Sequence, residues 1–181
     1  MVTTRNTRLV DRGLHGVQLV TSDAHKGLQA GIQTVCVGSS WQRCTIHVMR
    51  NVLSHISHRD KRAVAALCRT ILAQTTHADA QRQLAAVLPE LERRWGKQVG
   101  AVLRNAEESL FAYLAFPVEH HLRIRTTNIV ERVNREMKRR TRVVSVFPDA
   151  ESALRLVGIE AIELDREWSL KRNYFTQKSM D

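Results

Sequence analysis

Hydrophobic positions in the first third of the chain alternate between the spacing of strands and that of helices. Residues 17–22, Val-Gln-Leu-Val-Thr-Ser, are rich in β-branched side chains and predict a strand that ends at Asp23. The tail of a helix is expected before it, at 5–14. Further elements follow the strand: a helix at 24–32, extended pieces at 34–37 and 41–45, and a helix at 46–56. Together they predict an α/β layer.

The middle of the chain changes to helical spacing only. Residues 60–116 carry three amphipathic stripes, at 64–72, 84–95 and 99–113, which predict an all-helical insertion. Pro89 in the second stripe indicates a kink or a helix start.

The last third begins with a polar, basic connector in which His120 and His121 are interpreted as surface residues, because adjacent side chains point apart. The expected elements are a helix at 129–140, an extended piece at 143–147, and a helix capped by Asp149 that ends near Trp168. The expected division is 1–58, 59–118, 119–168 and a loose basic tail at 169–181.

The net charge of the chain indicates what kind of molecule it binds. Lys and Arg number 28 against 18 Asp and Glu, which gives a net charge of +10. This excess favours a partner rich in phosphate, although a basic soluble protein without such a partner is the plain alternative. The chain lacks an apolar run of the roughly 20 residues that a membrane span needs and an apolar stretch typical of a signal peptide. We therefore expect a cytoplasmic, nucleoid-associated protein without disulfides.

Two carboxylates stand out as candidates for chemistry. Asp23 ends a strand of an α/β layer, where such sheets place their sites, or it caps the next helix. Glu131 begins a helix on which it shares one face with basic residues, and six basic residues against one acidic lie between 132 and 142. A carboxylate near DNA phosphates indicates an intervening divalent cation. The alternatives are a capping box from Asn128 to Glu131 and a solvated basic face. The side expected to be buried carries Val130, Val133 and Met137.

Cys44 and His47 have the spacing of half a zinc site. The other half cannot come from His55 and His58, because His47 and His58 are about 16 Å apart along a helix. The sequence therefore favours a buried cysteine and a hydrogen-bonded histidine over a zinc site.

Three stretches in order resemble the Mutator-type bacterial transposases. Residues 19–28 are similar to the strand that carries that family's second acidic residue, and 125–142 to the segment that carries the third. Between them, residues 41–51 match the signature W-Q-R-C-x-x-H-x-x-R-N. The motif residues to which no role is assigned are Trp41, Cys44, His47, Arg50, Asn51 and Asn128.

The resemblance implies a ribonuclease H-like core, incomplete at its first strands and interrupted by an all-helical insertion. It implies that Asp23 and Glu131 are the second and third members of an Asp-Asp-Glu triad holding two Mg²⁺ (or Mn²⁺) ions for attack on a phosphodiester. The implied partners are double-stranded DNA at transposon ends and target, and a second copy or full-length transposase. The implied DNA-binding residues are Arg132, Arg135, Lys138, Arg139, Arg140 and Arg142.

The family's first acidic residue lies on a strand well before the matched segment. This chain opens 22 residues ahead of Asp23, and Asp11 is a poor substitute because it falls in a helical stretch. We therefore expect weak metal binding and no cleavage by this chain alone. The alternative to a transposase is a truncated remnant that binds DNA or intact transposase without catalysis. A generic single-strand-binding module is disfavoured because aromatic residues make up only 5% of the chain.

Overall fold

The computed structural model describes residues 9–144 and 146–170. The chain divides between Thr127 and Asn128 into two compact units. The predicted helix at 5–14 is described only from residue 9, with helical residues at 9–11, and the predicted tail lies outside the described residues beyond Leu170. No helix in these described ranges is long and apolar enough to cross a membrane.

The first unit opens with a parallel pair of strands, β1 (Leu19–Ser22) and β2 (Ser40–Arg43). Leu19 lies opposite Ser40 and Ser22 opposite Arg43, so both strands end at the same edge. The connection is helix α1 (Lys26–Val35). The extended piece predicted at 34–37 is wrong, because the Cys36 N–H still bonds to the carbonyl of Ile32 and closes the last helical turn.

Helices and short turns make up the rest of the first unit. They are α2 (Thr45–Ser54), α3 (Lys61–Leu72), α4 (His77–Trp95), α5 (Lys97–Arg104), α6 (Glu107–Leu110), α7 (His121–Ile124), and 3₁₀ turns at Ala112–Ala115 and Val118–His120. As the amphipathic stripes predicted, no described residue between 60 and 116 is in a strand. Pro89 lies inside α4 and starts no helix, and the third stripe is divided among α5, α6 and a 3₁₀ turn.

One hydrophobic core joins α2 to the helical insertion. Val48 and Val52 of α2 pack in the same buried cluster as Leu91, Leu103 and Phe111. Each fully buried side chain of this kind stabilises the fold by about 1.5–3 kcal/mol. The segments predicted as 1–58 and 59–118 therefore share one core within a single compact unit.

The prediction that His120 and His121 are surface residues is wrong. They are 7% and 6% exposed. The Nε2 atom of His121 lies 2.7 Å from the carbonyl oxygen of Phe116, and its ring packs edge-on against Tyr113 with centroids 5.0 Å apart. The connector is coiled into a 3₁₀ turn and a short helix rather than extended, which lets both imidazoles face the interior.

The second unit contains two helices, α8 (Asn128–Thr141) and α9 (Ala150–Leu170), with a 3₁₀ turn at Arg142–Val144. Asp149 caps α9 as predicted, because its Oδ1 accepts a hydrogen bond of 2.6 Å from the Ser152 N–H. The helix extends two residues beyond the predicted end at Trp168.

Two predictions for the second unit are wrong. The extended piece at 143–147 is instead a 3₁₀ turn over its first two residues, while Ser145 lies outside the described chain. The side of α8 expected to be buried is not buried, since α8 contains no buried residue and Val130 is 56% exposed. Apolar spacing indicates a face that can pack, and it does not require that another element covers that face.

Candidate catalytic and nucleic-acid-binding sites

Asp23 follows the last residue of β1, and its side chain is 57% exposed. The strand end is held by Ser22, whose hydroxyl accepts a 2.8 Å hydrogen bond from the Trp41 indole and whose carbonyl accepts one of 2.9 Å from the Cys44 N–H. Asp23 does not cap α1. The cap is His25, whose Nδ1 accepts a hydrogen bond from the Leu28 N–H, so the capping interpretation of Asp23 is wrong.

His47 on α2 contacts Asp23 directly through its Nδ1 atom and the carboxylate Oδ1. On the other side of the ring, Nε2 lies 3.1 Å from the Nη1 atom of Arg50. A guanidinium has donors and no acceptor, so Nε2 must accept from Arg50. The proton of a neutral His47 is therefore on Nδ1, the atom that contacts the Asp23 carboxylate.

Cys44 lies at the N-terminal cap position of α2 and is completely buried. Its sulfur accepts hydrogen bonds of 3.3 Å from both the backbone N–H and the hydroxyl of Thr127. Cys44 is thus buried and the neighbouring His47 is hydrogen-bonded, as the sequence predicted.

Asp23, Cys44 and His47 form a cluster that sequence reasoning missed. One ligand atom of each lies within 4.8 Å of the others. From the sequence alone, His55 and His58 were the candidates for further ligands, because they follow His47 closely along the chain. The available signal was the parallel pairing of two strands, since strands that end together place residues 23 and 44 side by side.

Gln42 is a second residue that the sequence analysis did not single out. It is 0% exposed, and its Nε2 donates to the carbonyls of Arg43 at 2.7 Å and Leu110 at 2.9 Å. Its Oε1 accepts a 2.9 Å hydrogen bond from the Tyr113 N–H. Gln42 thus joins the strand that leads to Cys44 to the end of the helical insertion. Asn51 is exposed on α2, where its carbonyl accepts from the Ser54 hydroxyl.

Glu131 and the basic residues of α8 share one face, as predicted. A groove along this helix is lined by Glu131, Asn134, Arg135, Glu136, Lys138, Arg139 and Arg142. Glu136 accepts a 3.0 Å hydrogen bond from Arg139, so it offsets part of the positive charge. Arg132 is exposed on the same helix, and Asn128 is its first residue.

Arg140 differs from the other basic residues of α8. Its guanidinium pairs with Glu160 of α9 at 2.9 Å and with Glu163 at 3.1 Å. The negative charge of Glu160 raises the pKa of Arg140, and the Glu160 side chain is 7% exposed. Arg140 therefore stabilises the contact of α8 with α9, and its guanidinium is already paired with carboxylates of the second unit. Asp23 belongs to the first compact unit and Glu131 to the second.

Comparison with known proteins gives consistent matches. The family model described as "Transposase, Mutator family" matches residues 3–171. The transposase for insertion sequence element ISRM5 of Rhizobium meliloti is 36% identical over 173 residues, which are 96% of this chain and 43% of that protein. The transposase for IS406 of Burkholderia multivorans is 39% identical over 170 residues, covering 92% and 43%. The transposase for IS1081 of Mycobacterium tuberculosis is 39% identical over 166 residues, covering 92% and 40%. The chain thus spans less than half the length of these relatives.

Proposed function

Because this chain belongs to the Mutator family of transposases, we propose that it acts in metal-dependent cleavage and strand transfer of DNA at the ends of an insertion sequence. The observation that carries the proposal is the exposed basic face of α8, at the head of which stands the Glu131 carboxylate. The two strands and α1 would belong to a ribonuclease H-like core, with Asp23 at the edge where its parallel strands end.

The cations of α8, together with Arg142 at the start of the 3₁₀ turn that follows it, are proposed to hold the DNA backbone. Arg135, Lys138 and Arg142 are spaced along one face, so they can meet successive phosphates. Contacts to phosphates fix the position of a duplex without reading its sequence. The proposed set is Arg132, Arg135, Lys138, Arg139 and Arg142, and it omits Arg140 because of its ion pairs with α9.

The carboxylates of Asp23 and Glu131 are the type of oxygen ligand that Mg²⁺ or Mn²⁺ takes. The exposure of Asp23 leaves its carboxylate accessible, and the Nδ1 atom of His47 contacts one of its oxygens. Cys44 and His47 do not fit Mg²⁺, which prefers oxygen. A bound ion would activate the attacking hydroxyl and stabilise the leaving oxygen.

Salt-dependent DNA binding tests the first half of the proposal. Each phosphate contact contributes about −0.9 to the slope of log K against log salt. We therefore expect Lys138→Ala or Arg135→Ala to make the slope shallower by about one and to weaken binding to all sequences alike. The matched control is Arg93→Ala, which removes the same charge from an exposed position on α4. Equal effects of the control and the α8 variants would contradict the assignment.

Nicking of a plasmid that carries the element's ends tests the second half. Because the chain spans less than half the length of its relatives, the assay uses a full-length transposase that contains this segment, and we expect breaks that require Mg²⁺ and that disappear in Asp23→Asn and Glu131→Gln, with DNA binding retained. Binding without nicking would instead support the alternative function, in which the chain binds DNA or an intact transposase and does not cut. Nicking that persists in both variants would contradict the roles given to these carboxylates.

A further inference from the structure

We propose that Asp23, Cys44 and His47 form a binding site for a thiophilic divalent cation, of which Zn²⁺ is the physiological representative. The inference does not rest on the proposed transposase function, because it concerns ligand atoms within the first unit only. It starts from the observation that a carboxylate, a thiol and an imidazole have ligand atoms within 4.8 Å of one another.

The ligand set is the reason for naming zinc. Zn²⁺ is bound by thiolate, imidazole and carboxylate, and sites with three protein ligands keep a fourth position open for water. Mg²⁺ and Ca²⁺ prefer oxygen ligands alone. A cluster with one oxygen, one nitrogen and one sulfur donor therefore selects a softer ion than the one proposed for Asp23 and Glu131.

The hydrogen bonds of Cys44 fit a metal-bound sulfur. The backbone N–H and the hydroxyl of Thr127 both point to the sulfur at 3.3 Å. Such donors orient a ligating thiolate and offset its negative charge. Because Cys44 is completely buried and anchored by its own N–H to the end of β1, the sulfur is the fixed point of the site.

The other two ligands can adjust to the ion. Bond lengths of 2.0–2.3 Å place tetrahedral ligand atoms about 3.3–3.8 Å apart. The direct contact of Asp23 with His47 must therefore open, and the widest separation, of up to 4.8 Å, must shorten by about 1 Å. The side chains of Asp23 and His47 are 57% and 28% exposed, so rotations about their side-chain bonds can make both changes.

Arg50 opposes the metal in this arrangement. Its guanidinium donates to Nε2 of His47 and so favours the tautomer with the proton on Nδ1, the nitrogen that faces Asp23. Binding at Nδ1 requires the proton to be on Nε2, and Arg50, which is exposed, must then turn away. On binding, the Cys44 thiol forms its bond to the metal and releases its proton to the buffer.

The test is titration of the purified chain with Co²⁺, a spectroscopic substitute for Zn²⁺. We expect one saturable ion per chain, with a thiolate-to-cobalt charge-transfer band and the visible absorption of a four-coordinate ion. Zn²⁺ should displace it, and an equal concentration of Mg²⁺ should not. Cys44→Ser should abolish the charge-transfer band, while Cys36→Ser and Cys68→Ser should retain it. Cys68 lies in the hydrophobic core, where burial raises its pKa to about 11, and it is not one of the three clustered ligands, so it is a suitable control.

Three more variants keep the test decisive if Cys44→Ser does not fold. Asp23→Asn and His47→Ala should each weaken Co²⁺ binding by roughly tenfold or more, and circular dichroism verifies that they are folded. Arg50→Ala should strengthen binding, because it removes both the competing donor and a nearby positive charge. The absence of a thiolate band in the unmodified chain would overturn the proposal. So would a band that survives in folded Cys44→Ser, or unchanged affinity in both Asp23→Asn and His47→Ala.

The outcome is separable from that of the proposed function. Loss of salt-sensitive DNA binding on substitution of α8 leaves the cobalt spectrum unaffected, because no ligand lies on α8. Conversely, a chain that binds DNA but shows no thiolate band would retain the DNA-binding role and lose only the zinc site. If both proposals hold, Zn²⁺ should inhibit the Mg²⁺-dependent nicking, since both ions require Asp23.

Discussion

Replacement of Gln42 by Glu is expected to make the stability of the first unit depend on pH. The Gln42 amide donates to the carbonyl of Leu110 and accepts from the N–H of Tyr113 in a completely buried environment. A protonated glutamic acid can make both of these hydrogen bonds, since its O–H donates and its carbonyl accepts, but its single O–H cannot also replace the amide's hydrogen bond to the Arg43 carbonyl. An ionised glutamate keeps only the acceptor and adds a buried charge, which is costly without a paired cation.

The sign of the effect follows from the direction of the pKa shift. Burial disfavours the charged form and raises the pKa of a buried glutamate above about 4.3, its value in an unfolded chain. Below that pH both states are protonated, and the variant should be less stable than the parent by about 1–3 kcal/mol, because the Arg43 carbonyl loses its side-chain donor. As the pH rises to the folded-state pKa, stability is lost at about 1.4 kcal/mol per pH unit. A rise of about three pKa units would therefore cost about 4 kcal/mol by pH 8.

The assay is urea denaturation from pH 4.5 to 8, followed by tryptophan fluorescence in a Trp168→Phe background. Trp41 and Trp95 then report the first unit alone. Subtracting the parent at each pH cancels the titration of every other group. Gln42→Leu is the control, because it leaves the Tyr113 N–H and the Leu110 carbonyl without the Gln42 amide at every pH, at a cost of about 2–6 kcal/mol for the two groups. A pH-independent difference for Gln42→Glu would refute the reasoning.

Two other substitutions test local features of each unit. Gly100→Ala on α5 should raise the free energy of unfolding of a Glu92→Ala background by about 1 kcal/mol, because alanine favours the helix. In the parent the gain should be smaller, because the new Cβ would collide with the Glu92 carboxylate and displace it from Arg104. Equal gains in the two backgrounds, measured by urea denaturation, would contradict this. Asp149→Ala should lower the helix content of α9 at neutral pH but not at low pH. The hydrogen bonds from Ser152 lower the pKa of Asp149 below its ordinary 3.8. The ionised cap therefore stabilises the helix above that value, and this stabilisation is lost as the pH falls through the lowered pKa. A circular dichroism signal that Asp149→Ala leaves unchanged at neutral pH would contradict the role of the cap.

Local periodicity was sufficient for much of the fold. The strand that ends at Asp23, the helices of the insertion and the basic face of α8 all follow from spacings of two or of three to four residues. The same signal failed where burial depends on distant parts of the chain. Residues 143 and 146 are apolar yet 84% and 80% exposed, whereas the polar pair His120 and His121 is buried. Spacing indicates which side of an element can pack, and it does not say whether a partner covers that side.

The cluster of Asp23, Cys44 and His47 could not be predicted from the sequence for a related reason. Its members come from two chain segments, and only the pairing of β1 with β2 brings Cys44 to Asp23. A search for zinc ligands along a helix could reject His55 and His58 on distance. Helical spacing cannot identify Asp23 as a ligand, because this carboxylate lies 21 residues before Cys44 and on a different element. Strand order and register are properties of the whole sheet, which a single segment does not encode.

The spacing of the W-Q-R-C-x-x-H-x-x-R segment follows from a change of period at Cys44. Up to this residue the chain is a strand, so Gln42 and Cys44 point to the same side and are both buried. From Cys44 the chain is a helix, so Cys44, His47 and Arg50 recur every three residues along one face. The two-residue spacing of the strand places the Cys44 sulfur in the core. The three-residue spacing of the helix places the His47 imidazole against Asp23 and the Arg50 guanidinium against that imidazole. An inserted residue between Cys44 and His47 would turn His47 by about 100° around the helix relative to Cys44 and would take the imidazole away from Asp23, whatever the identity of the inserted residue. The motif is therefore constrained in length as strictly as in residue type.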